Sequence, residues 1–191
     1  CYSESYRQKN APPCFTIHFV ECEVDMETGV ITFPRVLIYG DCGTAFNPDL
    51  VKQAADKFGS DKICVAIDVA LFEGCTDKWE VYTHGGTRKT GIDAVEWAKT
   101  CADNGAGSLL PTSVDTDGKQ TGYDLGVTRA IKEATGLPVI ASGGAGTLEH
   151  VYDALTAGKA DAALVASMVH FNIHPIPEIK EYLRQRGIPV F

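Results

Sequence analysis

The spacing of apolar residues changes part-way along the chain. In the first part, Phe15, Ile17 and Phe19 alternate with polar residues, and a second strand-like run extends from Val30 to Tyr39. An alternation of period two indicates half-buried strands, and the Met-Glu-Thr-Gly stretch between the two runs has the composition of a turn. The pattern therefore predicts a β-hairpin within an N-terminal segment of residues 1–43.

From residue 44 onward, short apolar runs alternate with segments of helical period. A polar stretch containing Trp79 and Tyr82 follows the first run and predicts a two-stranded flap. Parallel strands joined by helical crossovers are the simplest fold for such an alternation. We therefore expect an α/β fold over residues 44–191. The predicted strands are Lys62–Asp68, Ser108–Thr112, Pro138–Ala141 and Asp161–Val165.

The residues best suited to chemistry come at the C-terminal ends of these predicted strands. In barrels and doubly wound sheets, this end of the strands holds the functional site. The stretch Ser142-Gly143-Gly144-Ala145-Gly146 joins a strand to a helix and resembles an anion-binding turn. Glycine there permits positive φ and the close approach of a ligand. The alternative is a tight strand-to-helix connection that binds nothing.

Charge and cysteine usage narrow the class of protein. The formal net charge of −8 argues against a nucleic-acid surface, and no apolar run approaches the length of a membrane helix. The seven cysteines are odd in number and contain no CxxC pair, which favours reduced thiols in a cytoplasmic protein. They are not paired at the spacing of zinc ligands, which argues against a zinc site. We expect no metal and no cofactor.

Four motifs occur in order after residue 44. With their spacing, residues 44–188 resemble the C-terminal half of the cyclase subunit of imidazole glycerol phosphate synthase (HisF). The resemblance implies a TIM-barrel-type (βα) half-barrel of four parallel strands, to which the N-terminal hairpin is added. The motifs are Val65-Ala-Ile-Asp68, Thr112-Ser-Val-Asp-Thr-Asp-Gly118 with Thr121-Gly-Tyr-Asp-Leu125, Ile140-Ala-Ser-Gly-Gly-Ala-Gly146 with Glu149-His150, and Asp161-Ala-Ala-Leu-Val-Ala-Ser-Met-Val-His-Phe171.

The resemblance also implies roles for individual residues. Asp68 corresponds to a catalytic acid or base, and its alternative role is a carboxylate that caps backbone N–H groups at a strand end. Thr112 and Ser142 are implied to line the substrate pocket. The residues implied to cradle a phosphate group are Asp117, Gly118, Gly143, Gly144, Ala166 and Ser167.

The family reaction closes an imidazole ring. Ammonia from a glutaminase partner attacks a phosphoribulosyl substrate, which splits into imidazole glycerol phosphate and an aminoimidazole carboxamide ribotide. The family's second catalytic aspartate lies on its first strand, which has no counterpart here. A half-barrel that binds phosphorylated metabolites without turnover, or an engineered or fused fragment, is therefore the alternative. The open sheet edges and uncovered face of a half-barrel predict a homodimer.

The hairpin carries a second resemblance. Residues 14–50 are similar to a segment of the molybdenum-binding subunit of the xanthine dehydrogenase and aldehyde oxidase family. The glycine loops and catalytic glutamate of that subunit have no counterpart in this chain, so the resemblance implies a structural hairpin and no molybdenum chemistry. The matching stretches are Glu23-Val-Asp-Met-Glu-Thr-Gly29, Arg35-Val36 and Asp41-Cys-Gly-Thr-Ala-Phe-Asn-Pro48.

Overall fold

The computed structural model describes residues 15–24, 31–41 and 48–190. The chain divides into two compact units, Cys1–Ala45 and Phe46–Phe191. None of the helices in the described ranges has the length and apolar character needed to cross a bilayer.

The N-terminal unit contains two antiparallel strands. Strand β1 (Phe15–Val24) pairs with β2 (Ile31–Asp41), and the register places Val20 opposite Val36. An irregularity in the pairing falls between Glu21 and Glu23. The hairpin predicted from the alternation of apolar and polar residues is confirmed. The turn predicted between its strands lies outside the described residues.

The second unit alternates strands and helices. It begins with helix α1 and a single 3-10 turn at Ser60–Lys62, which lead into the sheet. The elements are α1 (Pro48–Phe58), β3 (Cys64–Leu71), β4 (Trp79–Thr83), β5 (Arg88–Asp93), α2 (Ala94–Asp103), β6 (Ser108–Ser113), α3 (Leu125–Thr135), β7 (Ile140–Ala141), α4 (Leu148–Leu155), β8 (Ala162–Ala163), α5 (Ser167–His170) and α6 (Ile176–Gln185).

Four of these strands run parallel, in the order β3, β6, β7 and β8. Strands β3 and β6 pair over six residues each, from Cys64 opposite Ser108 to Val69 opposite Ser113. Two isolated parallel bridges connect the β6 region to the β7 region, and β7 pairs with β8. The predicted parallel succession of strands is therefore present.

The sheet is nevertheless mixed, which corrects the expectation of parallel strands alone. Strand β4 pairs antiparallel with β3, from Asp68 opposite Tyr82 to Leu71 opposite Trp79, and β5 pairs antiparallel with β4. The predicted flap thus joins the sheet as two further strands, because β3 continues beyond Asp68 and supplies an edge for β4. The described strands do not close into a barrel.

One face of the sheet packs against the helices. Ile67 of β3, Leu109 of β6 and Val139, which precedes β7, are almost completely buried, together with Ala98 of α2 and Ile131 of α3. Successive residues of a strand point to opposite faces, so the residues between these apolar ones face away from the helices. A second cluster, built around Met168 and Leu183, packs α4 and α6 against β7 and β8.

A partly exposed ion pair links α3 to the region where the last two strands begin. Lys132 Nζ donates to Asp161 Oδ2 at 2.8 Å, and the backbone N–H of Val139 donates to the same oxygen at 2.8 Å. Burial alone would raise the pKa of Asp161, but these hydrogen bonds and the charge of Lys132 lower it below the usual value. The ionised form of Asp161 is therefore the one that stabilises the fold.

Asp161→Asn should lower the free energy of unfolding at neutral pH by about 1 kcal/mol, because Asp161 is partly exposed and such pairs are screened by water. Since the pKa of Asp161 is lowered in the folded state, its contribution is present above the unfolded value of 3.8 and is lost as pH falls through the folded value. Denaturant unfolding of both proteins at neutral pH and at about pH 2 measures this. Asp103→Asn, at an exposed carboxylate on α2, is the control. An equal difference between wild type and Asp161→Asn at both pH values would contradict the prediction.

Candidate functional site

Three of the predicted site residues form a polar row across the sheet. Asp68 on β3 lies opposite Thr112 on β6, and Thr112 is bridged in parallel to Ser142 at the end of β7. Adjacent strands lie about 4.8 Å apart, so the row spans roughly 10 Å. The neighbours of Asp68, Ile67 and Val69, face the helical core, and Asp68 therefore lies on the opposite face of the sheet.

The position of Asp68 differs from the prediction in one respect. The sequence placed it at the end of its strand, but β3 continues to Leu71 because β4 pairs with residues 68–71. Asp68 is thus half-buried between a parallel neighbour at Thr112 and an antiparallel neighbour at Tyr82. Asp68 therefore lies within its strand and not at the strand end.

All six residues that the resemblance assigns to a phosphate cradle line one cavity of about 120 Å³. They come from three separate connections of the fold, namely the loop after β6, the turn after β7 and the turn after β8. Three further residues, which were not predicted as site residues, complete the lining. The lining consists of Asp117, Gly118, Gln120, Gly143, Gly144, Ala145, Leu164, Ala166 and Ser167.

The glycine turn has a role in packing that its sequence does not reveal. Gly143 and Gly144 do have positive φ, of 88° and 102°. A Cβ on Gly144 would, however, lie 2.0 Å from the backbone oxygen of Gly122, and one on Gly143 would lie 2.9 Å from the backbone oxygen of Ser113. The space that a side chain would need is filled by the end of β6 and by the β6–α3 loop. The glycines are therefore required for packing this loop against the turn, before any ligand is considered.

Hydrogen bonds from several directions hold the β6–α3 loop in place. The backbone N–H of Gly122 donates to the Gly144 oxygen at 2.8 Å, and Thr116 Oγ1 donates to the Gly143 oxygen at 3.1 Å. At the other side, the backbone N–H of Leu71 donates to Asp115 Oδ2 at 2.9 Å. The loop thus connects the end of β3 to the glycine turn and forms a fixed wall of the cavity.

The flap is fastened to the same region. Trp79 Nε1, at the start of β4, donates to Asp124 Oδ2 at 2.7 Å, and Asp124 Oδ1 accepts from the Val127 N–H at the first turn of α3. Trp79 itself is buried. One carboxylate therefore caps a helix and anchors the flap, which fixes the C-terminal end of the loop.

The electrostatic character of the cavity is unusual for an anion site. Asp117 is the one charged residue among the nine that line it. The donors that the lining offers are backbone N–H groups, the Ser167 hydroxyl and the Gln120 carboxamide. An anion held here would be bound by neutral donors. Among the described residues, no group of three or more His, Cys, Asp and Glu side chains is placed to hold a metal ion.

A phosphate group fits the size of this cavity, and the rest of a phosphate ester would have to extend out of it. Gly143 follows Ser142 directly in the chain, so the cavity adjoins the end of the polar row. A ligand anchored at the glycine turn could therefore extend over Thr112 toward Asp68. The arrangement suits acid–base chemistry on a ligand with a phosphate at one end.

The geometry defines the class of protein. It is an α/β fold whose polar residues gather at the C-terminal ends of parallel strands. A model of the family described as "histidine biosynthesis protein" matches residues 36–175, which is most of the chain. The chain belongs to this family. The family is of the TIM-barrel type, and the match agrees with the resemblance to the cyclase subunit.

A second family model, described as "molybdopterin cofactor-binding domain", matches residues 2–54. It agrees with the similarity of the hairpin to a molybdenum-binding subunit. The two matches overlap over residues 36–54.

The glycine packing can be tested directly. Gly144→Ala should lower the free energy of unfolding by about 3 kcal/mol or more, because the added methyl group overlaps the Gly122 backbone. Gly136→Ala is the matched control, since Gly136 also has positive φ but its Cβ would meet nothing within 4 Å. That control should lower the free energy of unfolding by only the roughly 1–2 kcal/mol that the left-handed conformation costs a residue with a Cβ. Denaturant unfolding measures both, and equal losses would show that the loop does not depend on this contact.

Proposed function

We propose that residues 44–191 form a (βα) half-barrel of the imidazole glycerol phosphate synthase cyclase type that binds a phosphate ester. The observation that carries this proposal is the meeting of six implied cradle residues in one cavity beside the row of Asp68, Thr112 and Ser142. Membership of the histidine biosynthesis family supports it independently.

In this proposal the cavity holds a terminal phosphate of the substrate, and the polar row faces the reacting carbon and nitrogen atoms. Ammonia, supplied by a glutaminase partner, adds to the phosphoribulosyl substrate. Ring closure and cleavage then require protons to be moved. Asp68 is the residue we assign to this proton transfer, and Thr112 and Ser142 position the substrate beside it.

Binding of a phosphate ester without turnover is the second candidate function. It is favoured because the cavity and Asp68 are separate features, and the cavity is complete without Asp68. A protein that uses only the cavity would bind phosphorylated metabolites and show no dependence on that carboxylate.

Asp68→Asn separates the two candidates. The change keeps the shape of the side chain and removes the ionisable group, so turnover should fall by roughly 10²–10⁴-fold in an assembly supplied with ammonia and an N-terminal half-barrel. Substrate affinity should change little. Steady-state kinetics and calorimetry measure the two quantities, with Asp77→Asn, at an exposed carboxylate in the flap, as the control. Turnover equal to wild type would remove Asp68 from the mechanism and leave the binding function.

We also propose that two copies of the chain associate through the sheet face that points away from the helices. Cys64 and Ala162 on this face are exposed, and Leu164, which follows β8, keeps 38% of its surface exposed. An open face and two open edges are what a half-barrel leaves uncovered. An isologous dimer is the simplest closed arrangement that covers them.

The dimer is tested by sedimentation velocity of the intact chain at tens of micromolar, where we expect two copies per particle. Ala162→Arg places a charged side chain on the exposed face and should give monomers. Ala157→Arg, at an exposed position in the turn between α4 and β8, is the matched control and should leave the dimer intact. A monomeric wild type would exclude the dimer.

A further inference from the structure

Gln120, one of the residues that line the cavity, has a backbone conformation and a side-chain contact that its sequence does not predict. It lies in the β6–α3 loop with a φ of 57°, in the left-handed region that residues other than glycine seldom occupy. A glycine would adopt this conformation at lower conformational cost. Strained backbone of this kind is concentrated at ligand sites in proteins. Gln120 borders the cavity, so the strain and the candidate site coincide.

Packing fixes the backbone of Gln120. A Cβ on Gly146 would lie 2.5 Å from the backbone oxygen of Gln120 and 2.6 Å from its Cβ. Two residues further on, the N–H of Gly122 donates to the oxygen of Gly144. The glycine turn therefore presses against this part of the loop and determines where the Gln120 side chain starts.

The side chain of Gln120 reaches across to the opposite wall. Its Nε2 donates to Ser167 Oγ at 3.4 Å, which links the β6–α3 loop to the turn after β8. Hydrogen bonds between nitrogen and oxygen are usually 2.7–3.2 Å long, so this one is weak. Gln120 is also exposed. A weak and exposed contact is readily exchanged for one with a stronger acceptor.

A phosphate group in the cavity would be such an acceptor. The lining contains the carboxylate of Asp117 and no Lys or Arg, so neutral donors must supply the attraction. A carboxamide offers two N–H groups and a hydroxyl offers one, and hydrogen bonds from neutral donors to an ionised acceptor are among the stronger ones. Gln120 Nε2 and Ser167 Oγ stand on the two sides of the cavity from which such donors would approach.

We propose that Gln120 is a direct ligand of the bound phosphate group. In this arrangement Nε2 leaves Ser167 and donates to a phosphate oxygen, and the released Ser167 hydroxyl donates to another. The side chain then covers the cavity from the loop side. The inference rests on the proposed function, because it requires that the cavity take a phosphate group.

The test is calorimetric titration of the full chain with inorganic phosphate. Gln120→Glu keeps the size of the side chain, replaces the donor by an anion, and should raise the Kd by roughly tenfold or more. Gln120→Gly removes the donor and relieves the backbone strain, so it should weaken binding while the melting temperature is kept or raised. Gln53→Glu makes the same change of charge at an exposed position of α1 and should bind phosphate as the wild type does.

The possible outcomes distinguish the role of Gln120 from the existence of a phosphate site in the cavity. A wild type that binds phosphate with the same Kd as Gln120→Glu and Gln120→Gly would overturn the role of Gln120 and leave the phosphate cavity standing. A wild type that binds no phosphate would overturn both. A loss of affinity in both Gln120 variants, with Gln53→Glu unchanged, is the expected result.

Discussion

The contact between the glycine turn after β7 and the backbone of the β6–α3 loop is the constraint on which the candidate site depends. Gly144 and Gly146 face main-chain atoms of that loop where a side chain would begin, and Gly143 faces those of Ser113 at the end of β6. Without this close approach, the loop could not form a hydrogen bond to the Gly144 oxygen, and the residues contributed by the two segments would not share a cavity. The packing of the glycine turn against the β6–α3 loop therefore forms the cavity in which a ligand would lie.

The alternation of strands and helices was predictable because it follows from the local spacing of apolar residues. A strand pattern depends on neighbours only a few residues away, as in residues 62–68 and 108–112. The same holds for the carboxylate of Asp93, which caps the start of α2. Asp93 accepts hydrogen bonds from the N–H groups of Val95 and Glu96. The N-terminal hairpin was predictable for the same reason.

The parts that escaped prediction depend on residues distant in the chain. Strand β3 extends past Asp68 because β4 pairs with it, and no local pattern in residues 69–71 reveals that partner. The role of Gly144 is decided by the Gly122 oxygen, which only the folded loop brings near. Gln120 was overlooked because its residue type is unremarkable, and its positive φ and its contact with Ser167 exist only in three dimensions. The available signal was its place in the polar loop between Asp117 and Tyr123, two residues that belong to the quoted motifs.

The charge of the molecule constrains how a phosphate ester could be recognised. The chain carries a formal net charge of −8, and the cavity lining adds the carboxylate of Asp117 without a compensating cation. The net negative charge therefore repels an anion at long range, and screening by salt weakens this repulsion without supplying any attraction. Recognition would have to come from neutral donors that act only at contact, through their positions. Because those positions are set by the packing of the loop against the glycine turn, the same constraint that shapes the cavity would also determine its selectivity.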